Sequence, residues 1–205
     1  MKRLILVDFD RTIFDTERMK RDKGLKYEND GIDPSKYEEI YGQVKQKYGF
    51  ANMKEVYRRL NKIRKGWGDI VKDIDVNFPY QNYMFPNAIE ALSMLSEIGD
   101  VVIFTEGDLD GDETSYCYQA HKIRLCGLIY PVRIFRRKVN ALPCLIRGYD
   151  QVILIDDSDN VLNAAKNYPK IRCVKIGESS MYESYPDIYQ AARAIREFIS
   201  SQPIN

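Results

Sequence analysis

Three stretches of the chain are apolar without interruption and then stop at acidic or hydroxyl residues. Leu4-Ile5-Leu6-Val7 runs into Asp8, Val101-Val102-Ile103-Phe104 into Thr105, and Val152-Ile153-Leu154-Ile155 into Asp156. Apolar residues in a row, with no polar alternation, are the pattern of a strand buried on both faces, as in a parallel sheet covered by helices. Residues 132–135 and 171–176 read as two further strands. Between them, apolar residues recur at helical spacing. Ala88, Ile89, Ala91, Leu92, Leu95 and Ile98 follow Pro86, which is placed for the first helical position, and Gly99 ends the run. Val161, Leu162, Ala164 and Ala165 repeat the pattern after Ser158, and Ile188, Ala191, Ala192, Ile195 and Ile199 repeat it later. Strands alternating with helices imply right-handed crossovers and helices on both faces of the sheet. The predicted fold is α/β: a doubly wound parallel sheet with one inserted helical segment.

The insertion is residues 14–85, between core segments 1–13 and 86–205. It is rich in Lys, Glu and Tyr and has no strand-like apolar run. Met53, Val56, Tyr57, Leu60 and Ile63 predict one amphipathic helix, and residues 37–48 a second.

Composition narrows the function classes. Thirty-one Lys+Arg against 30 Asp+Glu give a formal net charge of +1, which argues against a nucleic-acid coat protein. No apolar run approaches the roughly 20 residues of a membrane span, and the run ending at Val7 is too short for a signal peptide. Cys117, Cys126, Cys144 and Cys173 form no C-x-x-C pair, so neither a zinc site nor a disulfide framework is indicated. The expectation is a cytoplasmic protein without membrane or nucleic-acid partners.

Ligands of an open parallel sheet bind at the C-terminal ends of its strands. Here those ends carry Asp8-Phe9-Asp10-Arg11-Thr12, Thr105-Glu106-Gly107-Asp108 and Asp156-Asp157-Ser158-Asp159-Asn160, with Lys138 before another helix. Any one of these aspartates could be a helix cap or a turn former. Together, carboxylates at two strand ends repel unless a divalent cation or a lysine offsets them. Hard oxygen ligands suit Mg²⁺, and a hydroxyl with an ammonium suits the oxygens of a phosphoryl group.

In this ordered set the chain resembles the haloacid dehalogenase-like (HAD) superfamily. LVDFDRT matches its first motif, D-x-D-x-T after an apolar strand. VVIFT matches the second, Lys138 the third and ILIDD the acidic fourth, and FPNAIEALSMLSEIGDVVIFTEGD is similar to the way members with a helical cap rejoin the core. The resemblance implies a Rossmann-like HAD core with 14–85 as cap. It implies Asp8 as nucleophile, forming an aspartyl-phosphate, and Asp10 as general acid and base. Thr105, Glu106 and Lys138 form the phosphate-binding set, although nothing in the sequence accounts for the negative charge of Glu106 there. Thr12 supports the loop by hydrogen bonding, and Asp156 supports the metal site. The Mg²⁺ ligands are Asp8, Asp10 through its backbone carbonyl, and Asp157. An acid two residues after the nucleophile separates phosphate-ester hydrolysis from the dehalogenases, where halide leaves without a proton.

The implied activity is a Mg²⁺-dependent phosphatase acting on a small phosphorylated metabolite or mononucleotide. A phosphomutase or phosphotransferase is the alternative. A phospho-Asp signalling domain fits less well, because its acid pair would follow the first strand, whereas here it comes late. The fourth motif is the D-D form, which leaves the part of Asp159 open, and the register of Lys138 against Arg136 and Arg137 is also open. The basic face of Lys54, Arg58, Arg59, Lys62, Arg64 and Lys65 reads as the solvated side of a helix, and the fifteen Tyr residues as ordinary packing. His121, in a helix expected over 115–125, has no motif partner. Gly107, Gly111 and Asp112 mark a loop resembling the T-x-G-D segment that borders the pocket in capped relatives.

Overall fold

The computed structural model describes residues 1–107 and 117–201. Asp108, Gly111, Asp112 and the expected helix start at Ser115 lie outside the described residues. All three uninterrupted apolar runs are strands: β1 (Arg3–Val7), β2 (Asp100–Glu106) and β4 (Gln151–Asp156). The two further candidates are β3 (Val132–Phe135) and β5 (Ile171–Ile176), and β6 (Glu183–Tyr185) completes a six-stranded sheet. Its order is β3-β2-β1-β4-β5-β6, and every pairing is parallel.

The alternation of side chains explains why these runs tolerate no polar residue. Ile5, Val7, Ile103, Ile153 and Ile155 enter the core on one face, against α5 (Ala88–Ser96) and α9 (Ile188–Ser200). Leu4, Leu6, Phe104, Val152 and Leu154 enter the other, against α7 (Leu142–Leu145) and α8 (Asp159–Ala165). Both faces are buried, so both sets must be apolar. From β1 the chain winds out to β2 and β3, then returns to place β4 on the other side of β1. The C-terminal ends of β1 and β4 therefore meet at the point where strand order reverses, where doubly wound sheets bind ligands.

Residues between β1 and α5 form four α-helices: α1 (Thr16–Asn29), α2 (Pro34–Tyr48), α3 (Met53–Ile63) and α4 (Trp67–Asn77). The ends of this segment are tied together. Asp15 N–H donates to Tyr83 O at 2.7 Å, and Phe85 N–H donates to Ile13 O at 3.0 Å. Helix α3 has the bounds its periodicity predicts. Helix α2 begins earlier than predicted because Asp33 caps it, accepting from Ser35 N–H at 2.8 Å, with Pro34 in the first turn. Pro86 is not the first residue of α5; Asn87, at φ 61°, intervenes as its cap. Among the described residues no helix is long and apolar enough to cross a membrane.

Candidate active site

A strained turn after β1 presents the first acids. Asp8 remains tied to the sheet, its N–H donating to Ile155 O at 2.9 Å. Phe9 points inward, fully buried and stacked on Phe14. The backbone then reverses at Arg11, whose φ of 62° is uncommon for a residue with a side chain. This path leaves Asp8 and Asp10 lining one cavity of about 360 Å³. Thr12 is buried, but its hydroxyl has no hydrogen-bond partner among the described residues. The loop-holding bond expected of Thr12 is thus replaced by backbone: Ile13 and Phe14 N–H both donate to Phe9 O at 3.1 Å.

Lys138 opens a short 3₁₀ turn, Lys138–Ala141, after β3. Its Nζ lies 2.5 Å from Asp8 Oδ1 and 2.6 Å from Asp156 Oδ2, while Arg136 and Arg137 are exposed. Burial alone would lower the Lys138 pKa, but Asp8 and Asp156 outweigh it, so the ammonium is held above its ordinary value. Burial pushes Asp8 well above the usual carboxylate range; Lys138 pulls it down, but by less than burial and the Asp156 charge raise it. One ammonium is shared by two carboxylates. Glu106 does not act as a phosphate ligand through its side chain, since a carboxylate has no proton to offer a phosphoryl oxygen. Its Oε1 instead accepts Lys138 N–H at 3.3 Å, which steadies the turn that delivers the ammonium.

Carboxylate oxygens of Asp8, Asp156 and Asp157 lie within 4.8 Å of one another. Asp156 is committed elsewhere: it accepts Ser158 N–H at 2.8 Å and faces Lys138. Asp157 has no hydrogen bond or ion pair to its carboxylate among the described residues, and burial followed by the Asp156 charge raises its pKa. This excess of hard, negative oxygen donors fits a divalent cation such as Mg²⁺, with Asp8 and Asp157 as the side-chain ligands. Asp159 stands apart, 2.9 Å from Lys175 Nζ.

Asp10 has a different environment. Its Oδ1 accepts from Thr16 Oγ1 at 2.7 Å and from Lys122 Nζ at 2.6 Å, and its Oδ2 accepts from Gln119 Nε2 at 2.7 Å. Both carboxylate oxygens are engaged, which leaves the backbone carbonyl as its route to a cation. Burial would raise the Asp10 pKa, but the Lys122 charge and the three hydrogen bonds bring it below the ordinary value, so it rests as a carboxylate. Gln119 also donates to Thr105 Oγ1 at 2.9 Å, which occupies that oxygen as acceptor and leaves its proton for a ligand. Gly107 makes this possible, because a Cβ there would lie 2.8 Å from the Gln119 side chain. Gln119 and Lys122 belong to α6 (Tyr118–Leu125) and carry no motif; sequence reasoning misses both.

The rest of the cavity is built by α1 and α2, each contributing a single stripe at helical spacing. Thr16, Lys20, Lys23, Gly24 and Tyr27 come from α1, and Tyr37, Glu38, Tyr41 and Lys45 from α2. Tyr118 from α6 and Phe50 join them. Four tyrosines therefore line the cavity, a correction to reading them all as ordinary packing. None of the six cations of the basic stretch lines it, and Arg58 and Arg59 pair with Glu55. His121 is also outside it, with Nε2 2.9 Å from Val76 O.

No protein-family model matches the sequence, and no curated protein matches it. Solved structures do match. A haloacid dehalogenase-like hydrolase from Burkholderia xenovorans LB400 superposes with a TM-score of 0.81 at 19% identity, over 97% of this chain and 98% of that one. The HAD-hydrolase YfnB from Bacillus subtilis, determined bound to magnesium, gives 0.62 at 14% identity over 95% and 98%. The 2-haloacid dehalogenase from Pseudomonas syringae pv. tomato DC3000 gives 0.59 at 13% identity over 97% and 100%. A dehalogenase among the matches means that the fold alone does not select phosphate over halide, and the choice rests on the site. By its sheet, its helices and these superpositions, the chain has the fold of the HAD-like hydrolases.

Proposed function

We propose that the protein is a Mg²⁺-dependent phosphomonoesterase working through an aspartyl-phosphate on Asp8, with residues 14–85 as its cap. The observation that carries this reading is that Asp10, two residues past Asp8, faces the same cavity as Asp8 and is held by its own donors. Halide displacement has no use for such a group, whereas an alkoxide leaving group needs a proton.

An Asp8 oxygen attacks phosphorus in line, forming the Asp8 O–P bond as the ester P–O bond breaks. Lys138 and the Thr105 hydroxyl hold the phosphoryl oxygens and the charge that builds on them. Asp10 gives its proton to the departing oxygen, then takes one from the water that attacks the aspartyl-phosphate, releasing inorganic phosphate and free Asp8. Although Asp10 rests ionised, an arriving phosphate dianion raises its pKa and favours the protonated form needed for the first step. A bound Mg²⁺ would offset the carboxylate and phosphate charges and align the phosphoryl group. Helices α1 and α2 line the same cavity as the carboxylates, so a bound substrate would be shielded from bulk water on that side.

The test is phosphate release from a panel of phosphate monoesters, with Mg²⁺ and with chelator. Activity should require the metal and fall to background in Asp8→Asn. In Asp10→Asn it should fall by about 10²–10⁴-fold. Phosphoryl transfer to a second hydroxyl without free phosphate would convert the reading to a mutase. No reaction on Asp8 at all would end it.

A further inference from the structure

Gly24 is unexplained by the protein itself. It lies inside α1, where glycine is a poor helix former. It does not adopt a positive φ, and a Cβ built on it would meet nothing within 4 Å. Neither torsion nor packing calls for glycine, and the open space beside it belongs to the cavity above the catalytic carboxylates.

The walls beside that space are aromatic. Tyr37 and Tyr41 stack with ring centroids 5.9 Å apart, and Tyr27 lies 4.6 Å from Tyr37. The hydroxyls of Tyr27 and Tyr118 are used elsewhere: Tyr27 donates to the fully buried Asp75, and Tyr118 accepts from Lys23 at 3.1 Å. Tyr27 and Tyr37 are nearly fully buried, so the ring surface left open to the cavity on this side is chiefly that of Tyr41. The cavity's charged residues Lys20, Glu38 and Lys45 are exposed at the rim, where Lys20 also pairs with Glu17 at 3.8 Å. A sugar hydroxyl placed against the ring face would find no hydrogen-bond partner there. A flat unsaturated ring would bury well against tyrosine and could turn its polar edge to the rim. The volume of about 360 Å³ is at the lower end for small-molecule sites.

We infer that the alcohol portion of the substrate carries a planar unsaturated ring, as a mononucleotide does, seated in the space beside Gly24 against Tyr37 and Tyr41. The phosphate half of this assignment rests on the phosphomonoesterase reading; the ring half rests on Gly24 and the tyrosines.

The experiment is calorimetric binding to full-length Asp8→Asn with Mg²⁺, comparing uridine and adenosine 5′-monophosphates with ribose 5-phosphate, which lacks only the base. At least one nucleotide should bind tenfold or more tightly than ribose 5-phosphate. Adding Gly24→Leu should reduce that preference to within twofold without lowering Tm, and adding Tyr41→Ala should also reduce it. Gly24→Ala serves the same comparison if the leucine variant melts lower. Equal affinities, no binding by any of the three, or a preference that survives both Gly24→Leu and Tyr41→Ala would overturn the ring assignment. The two readings fail separately. Wild-type protein that hydrolyses ribose 5-phosphate and binds it as well as a nucleotide keeps the phosphatase and loses the ring. Tight nucleotide binding with no turnover of any ester does the reverse.

Discussion

Lys122 Nζ sits 2.6 Å from Asp10 Oδ1, although the two residues are 112 positions apart and neither strand nor motif links them. The ammonium is buried, about 5 Å above the rings of Phe9 and Phe14. It sets both the charge and the orientation of Asp10. Replacing it with an apolar group of similar length leaves Asp10 to its weaker donors. Lys122→Met should therefore lower kcat by about 10²-fold, the lower end of what a positioned acid–base group contributes. Lys122→Arg should recover part of that. Steady-state kinetics with Tm measured alongside checks it, and a variant with normal kcat would show that Asp10 needs no such partner.

Two helical glycines should respond to alanine with opposite signs. At Gly68 in α4 a Cβ would stand 2.0 Å from the Tyr57 carbonyl oxygen, a backbone atom of α3 that cannot swing away. Gly68→Ala should destabilise by about 1–3 kcal/mol through overpacking. Gly24→Ala meets nothing and should stabilise by about 1 kcal/mol through helix propensity. Urea melts of both variants read this directly, and equal signs would contradict the packing described for α3 against α4.

The sequence made the sheet readable because strands such as β1 and β4 are buried on both faces, and burial leaves no room for polar residues. Asp8, Asp156 and Asp157 were readable because they follow those strands directly. Helix α1 was not, because its inner stripe faces a cavity and includes Lys23 and Gly24, which break the apolar period. Gln119 and Lys122 were hidden for the same reason: the buried face of α6 is mostly polar. Glu106 and Thr12 show the limit of motif position as a guide. One turned out to hold a backbone amide and the other to lack a hydrogen bond among the described residues.

The carboxylate cluster predicts a measurable metal response without any substrate. A cation that binds only the folded state raises stability by about 2.7 kcal/mol at a hundredfold excess over Kd. Mg²⁺ should raise Tm in wild type, the gain should disappear in Asp157→Asn, and it should weaken as pH falls and the carboxylates protonate. A thermal-shift series with Mg²⁺ and chelator checks this. An equal shift in Asp157→Asn would move the cation elsewhere.

Lys23 and Asp75 form a buried ion pair that joins α1 to α4, and Asp75 Oδ2 also accepts from Tyr57 in α3 at 2.7 Å. Lys23→Met leaves that carboxylate buried without its cation and should cost about 3–5 kcal/mol, much of it recovered by adding Asp75→Leu. The pH dependence has a definite sign. Burial alone would lower the Lys23 pKa, but Asp75 outweighs it and the net direction is upward. A raised ammonium pKa means the contribution is complete below the unfolded value of about 10.4 and is lost as pH rises through the folded one. The stability gap between wild type and Lys23→Met should therefore narrow as pH rises above about 10.5. Denaturant melts across that range measure it, and a gap that does not narrow above about pH 10.5 would mean that the Lys23 ammonium does not govern the pair.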